Sequence, residues 1–316
     1  MPHTDQTAAH RVEARASALT SQELVDIVAI VTEATETDAT PPLSDQTRLR
    51  IRHPGDAETG IHLLLRDGSA VVGYGYAGGG DGELVVHPRF RGHGRGRALL
   101  EAILANAPRV DGQLRLWAHG RHPSAVKLAE RFGLTADRML WRLQRPLADD
   151  DPALAEPQLS DDVRIRAFVP GQDEQPWLRL NSRAFAGHPE QGSWTLTDLR
   201  LRENEPWFDP AGFLLAERES TGELLGAHWT KIHQKSATSD RVGEVYVLST
   251  DPDSHGLGLG GALLVAGLRY LREQGLDRVM LYTDAYNAAA VRLYRKWGFS
   301  HVGTDVQYVA VNREPT

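Results

Sequence analysis

The chain has 316 residues, 41% hydrophobic and 24% charged, with a formal net charge of −7 and no cysteine. This length predicts about two domains, each long enough to bury a core. The missing cysteine excludes disulfides, thiolate metal sites and a cysteine nucleophile, the acidic balance removes a general electrostatic case for nucleic-acid binding, and no apolar run is long enough to predict a membrane-spanning helix.

Residues 1–16 are polar and small and read as a disordered leader or a loose first helix turn. They carry no signal-peptide pattern, so the expected location is the cytoplasm. An amphipathic helix is expected over roughly Ser21–Ala34, with a preceding serine available as its N-cap. A β-rich run, Glu83 to Val86, leads through His87 and Pro88 into a turn with Gly92, Gly94 and Gly96, and a helix is expected over about Gly94–Ala105. A strand near Trp117, a second helix and a last strand around Met139–Leu143 complete the first half. Residues 149–162 are acidic and hold Pro152 and Pro157, which marks a linker between domains at 17–148 and 163–316. Val163 to Phe168 alternates with period 2 and opens the second half as a strand.

The second half then repeats the first. Pro88/Pro252, Arg91/His255, Gly94/Gly258, Gly96/Gly260 and Leu100/Leu264 share an offset of 164, and Val126/Val291 and Gly133/Gly298 share 165. Two dispersed blocks in one order point to duplicated domains. The second copy predicts a helix over Gly258–Gln274, a strand at Leu281–Thr283, a helix from Asn287 and a strand at Val306–Val311.

Each glycine turn ends in a helix start, where backbone N–H groups and the helix dipole favour an anion such as a phosphate. Gly256, Gly258 and Gly261 also spell a formal dinucleotide-binding string. That reading needs the first glycine directly after a strand; Asp251 to His255 intervene, and Arg97 breaks the string in the first copy. Of the 13 histidines, His119 and His122 lie near one another, but no third ligand has suitable spacing, so no metal is expected.

The motif (Arg/Gln)-x-x-Gly-x-(Gly/Ala) after an X-Pro step, present in both halves, resembles the acetyl-CoA site of the GCN5-related N-acetyltransferase (GNAT) superfamily. The resemblance covers nearly the whole chain. Arg91, Gly94 and Gly96 match fully, while His255 replaces the usual Arg or Gln. The segment Asn287 to Phe299 matches the superfamily's Asn-x-x-Ala-x-x-x-Tyr-x-x-x-Gly-Phe helix. The resemblance implies an α/β (α+β) fold of two tandem domains, each a mixed, mostly antiparallel sheet flanked by helices. It implies acetyl-CoA binding at Val85, Val86, His87, His93, Gly94, Arg95, Gly96, Arg97 and Ala98 in the first half. In the second half it implies Leu248, Ser249, Thr250, His255, Gly256, Leu257, Gly258, Leu259, Gly260 and Gly261, with Asn287, Ala288, Ala289, Ala290, Val291 and Arg292. Tyr294 takes the family's place of the acid that protonates the departing thiolate. Glu244 is a carboxylate suited to accept the amine proton directly or through water, and the Leu248 N–H suits the oxyanion.

At the 165 offset Ala129 stands opposite Tyr294, and at the 164 offset Glu83 falls opposite Val247 rather than Glu244. The first half is therefore expected to bind a coenzyme without turning it over. Further strings, Asn181 to Trp194, Trp207 to Pro210 and His228 to Lys231, are similar to those of the mycothiol synthases of actinobacteria. That family acetylates the cysteinyl amine of desacetylmycothiol, and its N-terminal domain holds a second acetyl-CoA. The resemblance implies Asp45, Glu190, Lys231, Glu244 and Tyr282 as contacts to a small aminothiol-glycoside, with no nucleic-acid or membrane partner and a monomeric state. Two other readings stand beside it: a tandem acetyltransferase for another amine, and a non-catalytic acyl-CoA sensor.

Overall fold

The computed structural model describes residues 11–52, 60–148, 151, 154–155, 159–188, 191–235, 240–254 and 256–311. They form two units, one of residues 1–140 with 303–316 and one of 141–302.

The first unit begins with β1 (Val12–Arg15), α1 (Ser21–Asp38) and α2 (Asp45–Arg52). The expected leader is thus partly wrong: Val12 lies opposite Leu65 in an antiparallel pair, held by ion pairs among Glu13, Arg15, Glu23 and Arg66. A free sheet edge recruits a strand whose charges find partners, which polar composition does not reveal. Thr20, not a serine, caps α1, in a capping box with Glu23. Then follow β2 (Ile61–Asp67), β3 (Ala70–Gly78), β4 (Asp81–Val86), α3 (Arg95–Asn106), β5 (Gln113–Ala118), α4 (Pro123–Phe132) and the start of β6 (Thr135–Pro146). β2, β3 and β4 pair antiparallel, and β5 runs parallel to β4. Leu99, Leu100 and Ile103 of α3 seal one face of this sheet; Ile27, Ile30 and Ala34 of α1 seal the other.

The second unit repeats this plan with β7 (Val163–Ala167), α5 (Glu174–Ala184), α6 (Leu196–Glu203), β8 (Phe213–Arg218), β9 (Leu224–His233), β10 (Val242–Thr250), α7 (Leu259–Glu273), β11 (Arg278–Asp284), α8 (Ala288–Lys296) and the start of β12 (Ser300–Val311). β7 to β10 pair antiparallel in sequence order, and β11 runs parallel to β10. Leu263, Leu264, Leu268 and Leu271 of α7 are fully buried. On the opposite face Trp229 stacks on Phe213 at 4.4 Å, with Trp177 edge-on to both; fully burying such rings contributes about 1.5–3 kcal/mol each.

The expected domain edges at 148 and 163 differ from the observed ones. The last strand of each repeat completes the sheet of the other unit: Val306–Val311 of β12 pairs with β5, and β6 neighbours β11, with Leu143 in the second unit's core. Duplicated sequences offer equivalent last strands, and a period-2 pattern specifies a strand without specifying its partner. The acidic linker is not wholly solvated either. Leu147 and Leu154 pack in the second unit's core, and Asp151 pairs with Arg145.

Candidate active site

The two glycine turns fold alike. Gly92 and Gly256 have φ of 84° and 88°, and Gly94 and Gly258, the N-caps of α3 and α7, have 77° and 72°. Only glycine adopts this left-handed region freely. His87 and Asp251, at matching positions before the prolines, each accept an N–H two residues on, from Arg89 and Asp253. Neither helix has a side-chain cap, so the N–H groups of Arg95, Gly96, Arg97 and of Leu259, Gly260, Gly261 have no intrahelical partner. Gly96 and Gly260 differ from the turn glycines. Neither has a positive φ, and an added Cβ would meet nothing nearer than 3.5 Å and 3.9 Å. The fold itself does not require glycine at either position.

Above each turn two parallel strands part. β4 and β5 are registered only at Asp81/Arg115 and Gly82/Leu116; β10 and β11 only at residues 243–245 against 279–281. In the first unit the gap opens into a cavity of about 930 Å³ lined by Val85, Val86, Gly94, Arg95, Gly96, Arg97, Trp117, Lys127 and Leu128. Six expected coenzyme contacts therefore share one wall. His87, His93 and Ala98 do not line it: His87 pairs with Glu33, His93 meets the Arg91 carbonyl, and Ala98 packs toward the core. Arg91, the residue that best matches the motif, is a structural brace. Its guanidinium makes a bidentate pair with Asp38 at 2.8 and 2.7 Å and donates to the Val86 carbonyl.

The inner end of this cavity holds a cluster that sequence reasoning missed. His119 lies between Asp305 (2.8 Å) and Glu83 (3.3 Å), and Glu83 accepts the Ser44 N–H. Burial alone would lower the His119 pKa, but hydrogen bonds to the two carboxylates overcome it and hold the imidazolium at about 10. Burial pushes Glu83 up, yet contact with His119 carries it below the usual carboxylate range.

In the second unit β10 bulges between Val245 and Val247. The extra residue, Tyr246, shifts the count along the strand by one, as a bulge does. Glu244 then lies opposite Lys231 on β9 and Met280 on β11. β4 has no bulge, and its matching residue is Asp81, opposite Gly78 and Arg115. This corrects the expectation that the first half lacks a counterpart to Glu244. A gapless alignment could not see the bulge. Asp81 is engaged by Arg115 at 3.1 Å, although burial still raises its pKa.

Glu244 is buried and its Oε2 lies 2.6 Å from His233 Nε2. The Lys231 ammonium sits 4.3 Å from the Trp207 ring centre and 4.8 Å from that of Tyr246, a cation–π cage. Arg202 in turn donates to the Tyr246 hydroxyl and stacks on Trp194 at 3.8 Å. The tryptophan strings were visible in the sequence, but their roles needed the fold. Tyr282 lies on β11 two residues past Met280. Asn287 caps α8 by accepting the Ala290 N–H at 3.0 Å, leaving the first-turn residues Ala288 and Ala289 exposed, with Arg292. Val291 and Tyr294 face inward. Burial pushes the Tyr294 phenol well above the ordinary tyrosine range. Leu248 and Thr250 border the parted strands, and the buried Ser249 hydroxyl has no partner among the described residues. Leu257 is exposed in the turn. Asp45 starts α2 in the first unit and pairs with Arg48 at 3.1 Å. His255 and Glu190 lie outside the described residues. Among the described residues no group of His, Asp and Glu is arranged to hold a metal, and no helix is long and apolar enough to cross a membrane.

Residues 175–299 match the model of the acetyltransferase (GNAT) family, and residues 58–134 that of an acetyltransferase (GNAT) domain. The chain is 51% identical over 286 residues to the mycothiol acetyltransferase of Thermobispora bispora, covering 89% of this chain and 94% of that protein. It is 50% identical over 297 residues to the mycothiol acetyltransferase of Streptomyces coelicolor, covering 92% of each. Among solved structures, a tandem GNAT protein from the clavulanic acid biosynthesis pathway aligns with a TM-score of 0.72 over 97% of this chain and all of that one, at 19% identity, which bears on the fold alone. A GCN5-related N-acetyltransferase from Sphaerobacter thermophilus aligns with a TM-score of 0.62 at 25% identity, over 96% of this chain and 97% of that one.

Proposed function

The chain belongs to the mycothiol acetyltransferase family of tandem GNAT proteins, and on that premise we propose that it acetylates the cysteinyl amine of desacetylmycothiol with acetyl-CoA, releasing mycothiol and CoA. The amine nitrogen attacks the thioester carbonyl and loses its proton to Glu244. The Leu248 N–H supports the oxyanion, and the tetrahedral intermediate collapses with cleavage of the carbon–sulfur bond. Tyr294 protonates the departing sulfur; its buried phenol keeps its proton at any working pH and so has one to give. Lys231, Glu244 and Tyr282 contact the acceptor, with Glu190 as a further contact. The helix starts at Leu259–Gly261 and Ala288–Arg292 hold the coenzyme's phosphates and pantetheine arm with Leu248, Ser249, Thr250 and the turn at His255–Gly258.

The observation that carries this reading is the setting of Glu244: a buried carboxylate beside a β-bulge, with Lys231 opposite it, in the half that also holds Tyr294. The first unit takes a second acetyl-CoA without turnover, because Ala129 replaces the tyrosine and Arg115 occupies Asp81. We further propose a monomer acting in the cytoplasm, with no metal in the reaction. The test is an assay of acetyl-CoA consumption with desacetylmycothiol. Formation of the N-acetyl product supports the reading. Tight CoA binding without turnover on that amine, or higher kcat/KM on an aminoglycoside or a protein N-terminus, overturns it.

A further inference from the structure

We infer that His233 is a positioning residue that aims the Glu244 carboxylate, an assignment that rests on Glu244 being the proton acceptor. The two side chains are on neighbouring antiparallel strands. Lys231 is registered with Glu244 and His233 with Val242, so all three project from one face of the sheet at period 2. His233 Nε2 donates to Glu244 Oε2 at 2.6 Å. This leaves Oε1 as the oxygen open to the acceptor amine. A free carboxylate rotates about its last torsion, which is broad; a single charge-assisted donor on one oxygen fixes it. Side-chain exposure is 9% for Glu244 and 31% for His233. The buried carboxylate has little water to orient it, and the imidazole reaches it from the rim.

The first unit lacks both partners. By register Lys231 corresponds to Gly78, and two residues further His233 corresponds to Gly80, a turn glycine with φ of 84°. β9 continues to His233 where β3 stops at Gly78. The second unit thus adds two residues of strand and places a donor at the end of them. The other titratable or charged groups that face Glu244 are Lys231 from β9, Tyr246 at the bulge with Arg202 behind it, and Tyr282 from β11.

The test is steady-state kinetics of the full chain with acetyl-CoA and desacetylmycothiol for His233→Ala, His233→Gln and Glu244→Gln. His233→Ala is expected to lower kcat about tenfold, the worth of one hydrogen bond to a charged group, with the KM for acetyl-CoA unchanged. The glutamine amide can reach the same oxygen, so His233→Gln restores most of kcat. If Glu244→Gln is inactive while His233→Ala keeps wild-type kcat, the inference is overturned and the proton-acceptor reading stands. His233→Gln as slow as His233→Ala, with wild-type melting temperature, also overturns it. A Glu244→Gln variant with wild-type kcat removes the proton-acceptor reading and the inference together.

Discussion

The turns before α3 and α7 share their left-handed glycines, their capped X-Pro steps and their uncapped helix starts. The strands that lead into them do not match. β4 runs straight and places Asp81 against Arg115; β10 bulges at Tyr246 and places Glu244 against Lys231, Met280 and His233. In the first unit the end of the gap is tied shut by Glu83, His119 and Asp305. The pair teaches that in this fold the turn and the strand leading into it vary independently. Backbone amides at a helix start survive almost any side-chain change, whereas a working carboxylate requires a specific set of neighbours.

The largest effect that would break the comparison concerns the carboxylates. Glu244→Gln is expected to lower kcat by ~10²–10⁴, and Asp81→Asn to leave it unchanged. Equal losses in single-turnover acetylation would mean both units do chemistry. Tyr294→Phe should show a loss in the same range with acetyl-CoA affinity retained, measured by calorimetry alongside kcat.

The next concerns the tie in the first unit. His119→Gln leaves Glu83 and Asp305 buried without their cation and should destabilise the protein by about 3–5 kcal/mol, read from urea unfolding. The pH dependence has a definite sign. Its two carboxylate partners push the folded His119 imidazolium up to about 10 from the 6.5 of an ordinary histidine. Its contribution is therefore fully present below pH 6.5, and is lost as pH rises through 10. Wild-type stability should fall between those values, and the slope should flatten in His119→Gln. A slope unchanged by the substitution would show that His119 is not the group.

A smaller effect sharpens the phosphate sites. Gly96→Ala and Gly260→Ala both fit the fold, because a methyl there meets no atom within 3.5 Å. Melting temperature should hold or rise slightly. Gly260→Ala should raise the KM for acetyl-CoA about tenfold, a loss of ~1.4 kcal/mol. Gly96→Ala should remove one of two binding equivalents in calorimetry with kcat intact. A change in kcat for Gly96→Ala would couple the two sites.

The turns, the helix starts and the Asn287 cap could be read from spacing alone, because each depends on residues within one or two turns of chain. Gly94 and Gly258 need no distant partner to cap a helix. Arg91 shows where such reading stops: its side chain is claimed by Asp38, 53 residues away, and a motif match cannot report that. Asp81 was hidden by one bulged residue, since a strand's register is set by its neighbours across the sheet. The leader strand and the exchange of β6 and β12 between units escaped for the same reason. Periodicity says that a segment will be a strand; which open edge it joins depends on the edges left unpaired and on single long-range contacts such as Asp305 with His119. Local pattern thus specifies where a phosphate can be held. Cross-strand pairing decides which of two carboxylates is left with a lysine and a histidine and which is neutralised by an arginine, because a charge in a buried sheet takes its character from groups that are neighbours only after folding.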